Sequence, residues 1–184
     1  SDNFDEYLQE DTQSPFHPLR PFDEIIEGNL ACPILQILDD LNFFQPSKIE
    51  SQAISILNDT NYKHDLIAQS PSGTGKTLVF VTSMLLHIDR EDHNLQTICL
   101  SPTEELSEQS FEFFKKMNEY TKFKVTICKE YDEFLVDEYV QSLFATPTSI
   151  RKLIDNETID FSTIKFVVID EADFIFCNNG SYNE

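Results

Sequence analysis

The chain has 184 residues, of which 40% are hydrophobic, so it is long and apolar enough to bury the core of one domain. Its net charge of −20 argues against broad, sequence-independent binding to nucleic acid, because phosphates would be repelled at long range. A local basic site is compatible with that charge. The scarcity of glycine, with four in the whole sequence, excludes collagen-like and flexible linker proteins.

The cysteines and the apolar runs bear on the cellular setting. None of the four cysteines forms a CxxC pair, which argues against a zinc site or a disulfide framework and favours reduced, buried thiols in an intracellular protein. The sequence has no run of 18 apolar residues, and its acidic N-terminus is unlike a signal peptide. We therefore expect no membrane-spanning helix.

Residues 1–20, with five carboxylates and one arginine, are predicted to form a mobile acidic tail. Helical and strand patterns alternate after it. In chain order we expect a helix over 29–41 with Asn29 as its N-cap, a helix over 47–57, a strand over 65–70, a helix over 75–89, a strand over 97–101, a helix over 103–120, strands over 123–128 and 142–145, a helix over 148–154 and a strand over 166–170.

Short apolar strands that alternate with helices predict an α/β fold, with a parallel sheet covered by helices on both faces. Ligands of such folds bind at the carboxyl ends of the strands. The residues that follow Ala68, Leu100, Ala145 and Ile169 are therefore the candidate site.

The segment after the first of these strands, residues 70–77, reads SPSGTGKT and differs from the P-loop pattern GxxxxGK[ST] only at its first position. Backbone N–H groups and the helix dipole would attract phosphate, and glycines let the backbone approach it closely. Lys76 would reach the β- and γ-phosphates, and the Thr77 hydroxyl would bind Mg²⁺. The candidate ATP-binding residues here are Ser70, Pro71, Ser72, Gly73, Thr74, Gly75, Lys76 and Thr77. The alternative, a chance glycine turn, is disfavoured by the strand and helix on either side.

The last predicted strand ends in the sequence DEAD, residues 170–173. A P-loop NTPase needs a carboxylate on a neighbouring strand for Mg²⁺ and a group that orients the attacking water. Asp170 suits the first role and Glu171 the second, so Lys76, Asp170 and Glu171 are the candidate catalytic residues. An acidic surface turn is the alternative interpretation.

In order and spacing, these motifs resemble the first RecA-like domain of a DEAD-box RNA helicase. The resemblance covers roughly residues 22–173. Residues 46–49 (PSKI) resemble the start of the Q motif, 68–77 motif I, 101–106 (SPTEEL) motif Ia, 146–147 (TP) motif Ib and 170–173 motif II. The amino-acid sequences of the first three motifs most resemble those of the subfamily that remodels mRNA–protein particles at the nuclear pore.

The resemblance implies a partial RecA-like domain over residues 21–184, binding ATP and Mg²⁺. It also implies RNA contacts from Pro102, Thr103, Glu104, Thr146 and Pro147, and nuclear-pore or export-factor proteins as partners, in the nucleus and cytoplasm. We expect a monomer without membrane association. The family's second domain, which carries an arginine finger, is absent from the sequence, and loss of such an arginine lowers the rate by about 10³–10⁵. This chain alone is therefore expected to be nearly inactive.

Two positions bear on the recognition of adenine, where the sequence is compared with the family pattern. The Q motif is named for a Gln that reads the base, and Glu50 stands at that position. A carboxylate cannot donate to adenine N7, which would weaken or relax base preference by about 1–3 kcal/mol. Equally, residues 47–50 (SKIE) form a capping-box pattern in which Glu serves as well as Gln. Phe22 is the candidate for the family's adenine-stacking aromatic, and a core Phe is the alternative.

The RNA side departs further from the family pattern. Glu104 replaces an Arg, motif Ib lacks its Gly and Arg, and the family's glycine doublet has no counterpart near residues 128–132. Lys129, Arg151 and Lys152 could compensate for the lost positive charge, although a solvated helix face explains Arg151 and Lys152 as well.

Two functions from different classes follow. The first is the ATP-binding half of an ATP-dependent RNA helicase. The second is a helicase-derived protein-interaction module with a decayed RNA surface and weak nucleotide binding. A P-loop kinase or GTPase is disfavoured, because the sequence has no NKxD motif.

Overall fold

The computed structural model describes residues 7–9, 20–59, 65–69, 75–130, 139–157 and 159–177. It divides into two compact units, Ser1–Leu86 with Met117–Thr121, and His87–Lys116 with Lys122–Glu184. Within the described ranges, no helix is long and apolar enough to cross a membrane.

The described residues of the first unit form the helices α1 (Phe22–Ile25), α2 (Ala31–Asp40), α3 (Lys48–Asn58) and α4 (Lys76–Leu86). Helix α1 packs against α2 and α3, and α3 packs against α4. Residues 78–85 of α4 are all buried, as expected for a helix that is apolar on every side. The amphipathic α2 and α3 bury one face each, including Ile34, Leu38 and Ile54.

Two helix ends differ from the sequence prediction. Helix α2 begins after Leu30, whose side chain cannot cap, so Asn29 as N-cap was wrong. The reason is the turn at Gly28 (φ +92°), whose carbonyl accepts from the Ala31 N–H. Helix α4 ends at Leu86 rather than at Asp89. The Gln96 side chain accepts from the Asp89 N–H (2.8 Å) and donates to the Asp89 carbonyl (3.0 Å), so the backbone of Asp89 is bound by a side chain instead of continuing the helix.

A two-stranded parallel sheet pairs β1 (Tyr7–Gln9) with β2 (Ile67–Gln69). Residues 1–20 thus contain a strand, which the prediction of a tail did not foresee. Among the described residues β2 pairs with β1, whereas the sequence predicted β2 in one sheet with the later strands. Strand β2 has three residues, and the backbone N–H and C=O groups along its edge can pair with any extended segment in the right register. No local sequence signal determines which segment that is.

The second unit holds a four-stranded parallel sheet in the order β4-β5-β3-β6. Its strands are β3 (Thr97–Leu100), β4 (Val125–Cys128), β5 (Ser142–Ala145) and β6 (Phe166–Ile169). Its helices are α5 (Glu104–Met117), α6 (Pro147–Asp155), α7 (Ala172–Cys177) and a short 3₁₀ helix, Phe161–Thr163. The predicted parallel α/β fold is confirmed, with every predicted strand and helix of this unit found within a few residues of its expected bounds.

Alternate residues of β5 point to opposite faces of this sheet. Phe144 meets the ring edges of Phe111 and Phe114 on α5, with centroid distances of 5.9 and 5.4 Å. Leu143 belongs to a separate cluster that includes Leu153 of α6. Helices therefore cover both faces, and the carboxyl ends of the strands are left at an edge.

All four cysteines are free thiols. Cys99 on β3 and Cys128 on β4 are buried as expected, but Cys32 and Cys177 are exposed. The expectation of buried thiols was wrong for these two, which lie in the first turn of α2 and at the last residue of α7, outside the core.

Candidate functional site

The P-loop pattern leads from β2 into α4. Gly75 has a φ of +99°, and its carbonyl accepts from the Val79 N–H (3.2 Å) as α4 begins. Lys76 and Thr77 lie half-buried in the first turn, where the helix dipole favours an anion. The strand before the loop and the helix after it are confirmed. Ser70, Pro71, Ser72, Gly73 and Thr74 lie outside the described residues, so their phosphate contacts stay predictions.

Glu50 forms the predicted capping box at the start of α3. The Glu50 N–H donates to Ser47 Oγ (3.3 Å), and the Ser47 N–H donates to Glu50 Oε2 (2.7 Å). These reciprocal bonds confirm the structural interpretation of the S-x-x-E sequence. The effect of Glu50 on adenine preference stays a prediction.

The Glu50 carboxyl also lies against Gly75, a contact that sequence reasoning missed. A Cβ atom placed on Gly75 would lie 2.7 Å from Glu50 Cδ and 3.1 Å from Cγ, and would overlap a carboxylate oxygen. The glycine is therefore required for this packing as well as for its positive φ. Burial raises the pKa of Glu50, and the two bonds with Ser47 only partly oppose that effect.

We expect a Glu50→Gln variant to lose the part of the pH dependence of folding stability that Glu50 contributes. Because the pKa of folded Glu50 lies above its ordinary value of 4.5, the folded chain binds more protons than the unfolded chain between those two values. The free energy of unfolding contributed by Glu50 therefore falls as pH rises through that window. Glutamine keeps an acceptor for the Ser47 N–H without a buried charge, so the variant should be more stable at neutral pH.

Urea unfolding from pH 4.5 to 7.5 measures this effect. Glu27→Gln is the matched control, since it makes the same chemical change at an exposed position. Equal pH slopes in the two variants would show that Glu50 carries no special linkage to folding.

Phe22 is the first residue of α1 and is 5% exposed. Its burial in a helix that packs against α2 and α3 fits the core interpretation. Stacking of Phe22 on adenine stays a prediction.

The second unit brings three motif segments to one edge of its sheet. The strand register places Leu100 opposite both Ala145 and Ile169. The ladder continues one residue further, since the Ser101 N–H donates to the Ala145 carbonyl (3.0 Å) and the Asp170 N–H to the Leu100 carbonyl (2.9 Å). The starts of the SPTEEL, TP and DEAD segments are therefore neighbours, as parallel pairing predicts.

Asp170 and Glu171 form the turn between β6 and α7. Asp170 Oδ1 accepts from the Glu171 N–H (3.0 Å), and the exposed Glu171 has a φ of +48°, which is uncommon for a residue other than glycine. Burial, and then the negative charge of Asp170, raise the pKa of the Cys99 thiol in the neighbouring strand. The turn presents a carboxylate at the sheet edge and a second one to solvent.

The predicted RNA-contacting residues also serve as helix starts. Thr103 Oγ1 accepts from the Leu106 N–H (3.3 Å) in the first turn of α5. Thr146 is buried and caps α6 by accepting from the Ser149 N–H (3.1 Å), and Pro147 occupies the first helical position. Pro102, beside Thr103, is partly exposed. The structure gives these residues a local role, and their contact with RNA stays a prediction.

Glu104 has a partner that the sequence did not reveal. Its Oε1 atom accepts from the backbone N–H of Glu130 (2.7 Å), just beyond β4. Lys152 Nζ donates to the Glu130 carbonyl (2.5 Å), and Lys129 Nζ lies 2.5 Å from Glu108 Oε1. Arg151 is exposed and pairs with Asp155 one turn along α6, as a solvated helix face predicts.

Comparison with known proteins adds an independent observation. The model of the DEAD/DEAH box helicase family matches residues 47–182. The chain belongs to this family. It is 34% identical to the ATP-dependent RNA helicase DBP5 of Candida glabrata, over 94% of the chain and 34% of that relative. It is also 34% identical to ATP-dependent RNA helicase ddx19 of Dictyostelium discoideum, over 91% of the chain and 35% of the relative. This DEAD-box chain spans about a third of the length of the curated relatives it matches.

Solved structures confirm the RecA-like DEAD-box fold. S. cerevisiae Dbp5 bound to RNA and ADP BeF3 is 32% identical, with a TM-score of 0.79 over 87% of this chain and 40% of that one. A variant of S. cerevisiae Dbp5 bound to Nup159, Gle1, IP6 and ADP has a TM-score of 0.74 and 32% identity, over 80% of this chain and 40% of that one. The resemblance read from the motifs is therefore confirmed at the level of the family and the fold.

Proposed function

We propose that this chain is the ATP-binding half of an ATP-dependent DEAD-box RNA helicase that couples ATP hydrolysis to the remodelling of RNA or RNA–protein complexes. The observation that carries the proposal is the position of Asp170 and Glu171 at the carboxyl end of β6, hydrogen-bonded to the end of β3. Membership of the DEAD-box family supports it. By itself, the chain is expected to turn over very little ATP.

The residues of the chain have distinct roles in this proposal. Lys76 and the amides at the start of α4 hold the phosphates and neutralise their charge. The Thr77 hydroxyl and the Asp170 carboxylate are oxygen ligands of the kind that Mg²⁺ prefers, and Mg²⁺ would supply further charge neutralisation. Glu171 orients the attacking water and accepts its proton. The capping bonds of Glu50 and its contact with Gly75 fix the backbone where the phosphates bind.

The partners follow from the relatives. Their solved structures contain RNA, Nup159 and Gle1, so we propose RNA and nuclear-pore or export-factor proteins as partners, in the nucleus and cytoplasm. The helicase would act in mRNA export as a monomer, and RNA would bind through the whole two-domain enzyme.

One observation favours the second candidate function, a protein-interaction module. The side chains Glu104, Lys129 and Lys152, which lie near the expected RNA surface, contact other groups of the chain. A chain that needed only to bind proteins would have no use for Lys76, Asp170 and Glu171 together, which is why the enzyme is preferred.

The deciding experiment is ATP hydrolysis by the complete protein with and without single-stranded RNA, with Glu171→Gln as the control variant. Hydrolysis that RNA stimulates and the substitution abolishes supports the helicase. A folded protein that hydrolyses no ATP with any RNA supports the interaction module instead.

A further inference from the structure

The segment 129–130, which follows β4, is held between two helices of its own unit. On one side, Glu104 of α5 accepts from the Glu130 N–H (2.7 Å), and Glu108 pairs with Lys129 (2.5 Å). On the other side, Lys152 of α6 donates to the Glu130 carbonyl (2.5 Å). Both backbone groups of Glu130 are therefore bound by side chains.

The Glu104 carboxylate has the chemistry of a phosphate in this position. Both groups present anionic oxygens to a backbone N–H, and backbone N–H groups are common partners of nucleic-acid phosphates. Glu104 is also the first residue of α5, where the helix dipole favours a negative charge over any other. The carboxylate thus occupies an acceptor position on the Glu130 N–H that a phosphate oxygen could equally fill.

The nearby lysines are engaged as well. Lys129 faces the Glu108 carboxylate, and Lys152 reaches a carbonyl rather than solvent alone. Two positive charges at the expected RNA surface are thereby directed toward the protein. An RNA strand would have to replace these contacts in order to use the same groups.

We propose that Glu104 is an internal mimic of an RNA phosphate, which holds the Glu130 N–H and lowers the affinity of this surface for the RNA backbone. The proposal rests on the proposed function, which supplies RNA as the ligand. Glu104 is then a positioning residue that sets RNA affinity. RNA binds when a phosphate displaces the carboxylate from Glu130.

Binding of fluorescently labelled single-stranded RNA to the complete protein, without nucleotide, tests this. We expect Glu104→Ala to bind RNA about tenfold more tightly than Glu105→Ala, the effect of one charge-assisted hydrogen bond. Glu105 is the matched control, since it is exposed in the same helical turn and its replacement changes the net charge equally. Glu104→Gln keeps the acceptor and should resemble Glu105→Ala.

A second readout is hydrogen exchange of the Glu130 amide. In Glu104→Ala it should exchange faster than in wild type and regain protection when RNA is added. Equal RNA affinities in Glu104→Ala and Glu105→Ala would reduce the effect to net charge and overturn the proposal. Weaker binding, or none, in Glu104→Ala would overturn it too. RNA-stimulated ATP hydrolysis by the wild type decides the proposed helicase function independently of these outcomes.

Discussion

A Glu171→Gln variant of the complete protein is expected to lose RNA-stimulated ATP hydrolysis by about 10²–10⁴-fold and to keep its affinity for ATP. Glutamine has nearly the same shape as glutamate but cannot accept the proton of the attacking water. The backbone at this position is already fixed, since the Glu171 carbonyl accepts from the Phe174 and Ile175 N–H groups at 2.9 and 3.2 Å. The substitution should therefore change chemistry and leave the turn intact.

Steady-state hydrolysis and equilibrium binding of ATP, measured on the same preparation, separate the two effects. Glu157→Gln is the matched control, because Glu157 is also exposed and also has a positive φ, of 50°. It should leave both quantities unchanged. If Glu171→Gln hydrolyses ATP within a few-fold of wild type, Glu171 is not the base. If it loses ATP affinity instead, its role lies in binding.

The parts of the site that the sequence predicted correctly depend on local patterns. The alternation of apolar runs placed β3, β5 and β6 in one parallel sheet, and their register then put Ser101, Thr146 and Asp170 at one edge. The capping box was predictable because Ser47 and Glu50 lie one helical turn apart. The capping box needs no knowledge of the rest of the fold, and the common sheet edge needs only the alternation of strands and helices that is typical of a parallel sheet.

The contacts that the sequence did not predict join residues far apart in the chain. Glu50 meets Gly75 because α3 packs against α4, and Glu104 meets the backbone of Glu130 across α5 and β4. The pairing of β1 with β2 spans some 60 residues. Each depends on side-chain packing and strand choice that propensity and periodicity do not encode.

Two departures from the family pattern gain a physical explanation from hydrogen bonds seen in the structure, one local and one distant. Seen as sequence, Glu50 and Glu104 are losses, of an amide that reads adenine and of a cation near RNA. In the structure each carboxylate has a backbone N–H partner, from Ser47 and Glu130 respectively. Each carboxylate therefore has a structural role, because its removal would cost the hydrogen bond that it accepts from the backbone.

Gly75→Ala is expected to lower the free energy of unfolding by about 2–5 kcal/mol and to weaken ATP binding. A Cβ atom at a φ of +99° costs about 1–2 kcal/mol, and overlap with the Glu50 carboxyl adds about 1–3 kcal/mol because the capping bonds hold that side chain in place. Relief of the overlap requires a shift of Glu50 or of the first turn of α4. Either shift displaces the amides that are proposed to hold phosphate.

Gly28→Ala separates the two contributions to the effect of Gly75→Ala. Gly28 has a φ of +92°, but among the described residues no atom beyond its two chain neighbours lies within 4 Å of the Cβ position, so its replacement measures the conformational cost alone. Urea unfolding of both variants, and of Gly75→Ala combined with Glu50→Ala, completes the comparison. The double variant should recover about 1–3 kcal/mol relative to the sum of its single changes. If Gly75→Ala is no more destabilising than Gly28→Ala, the carboxyl of Glu50 does not constrain the P-loop glycine.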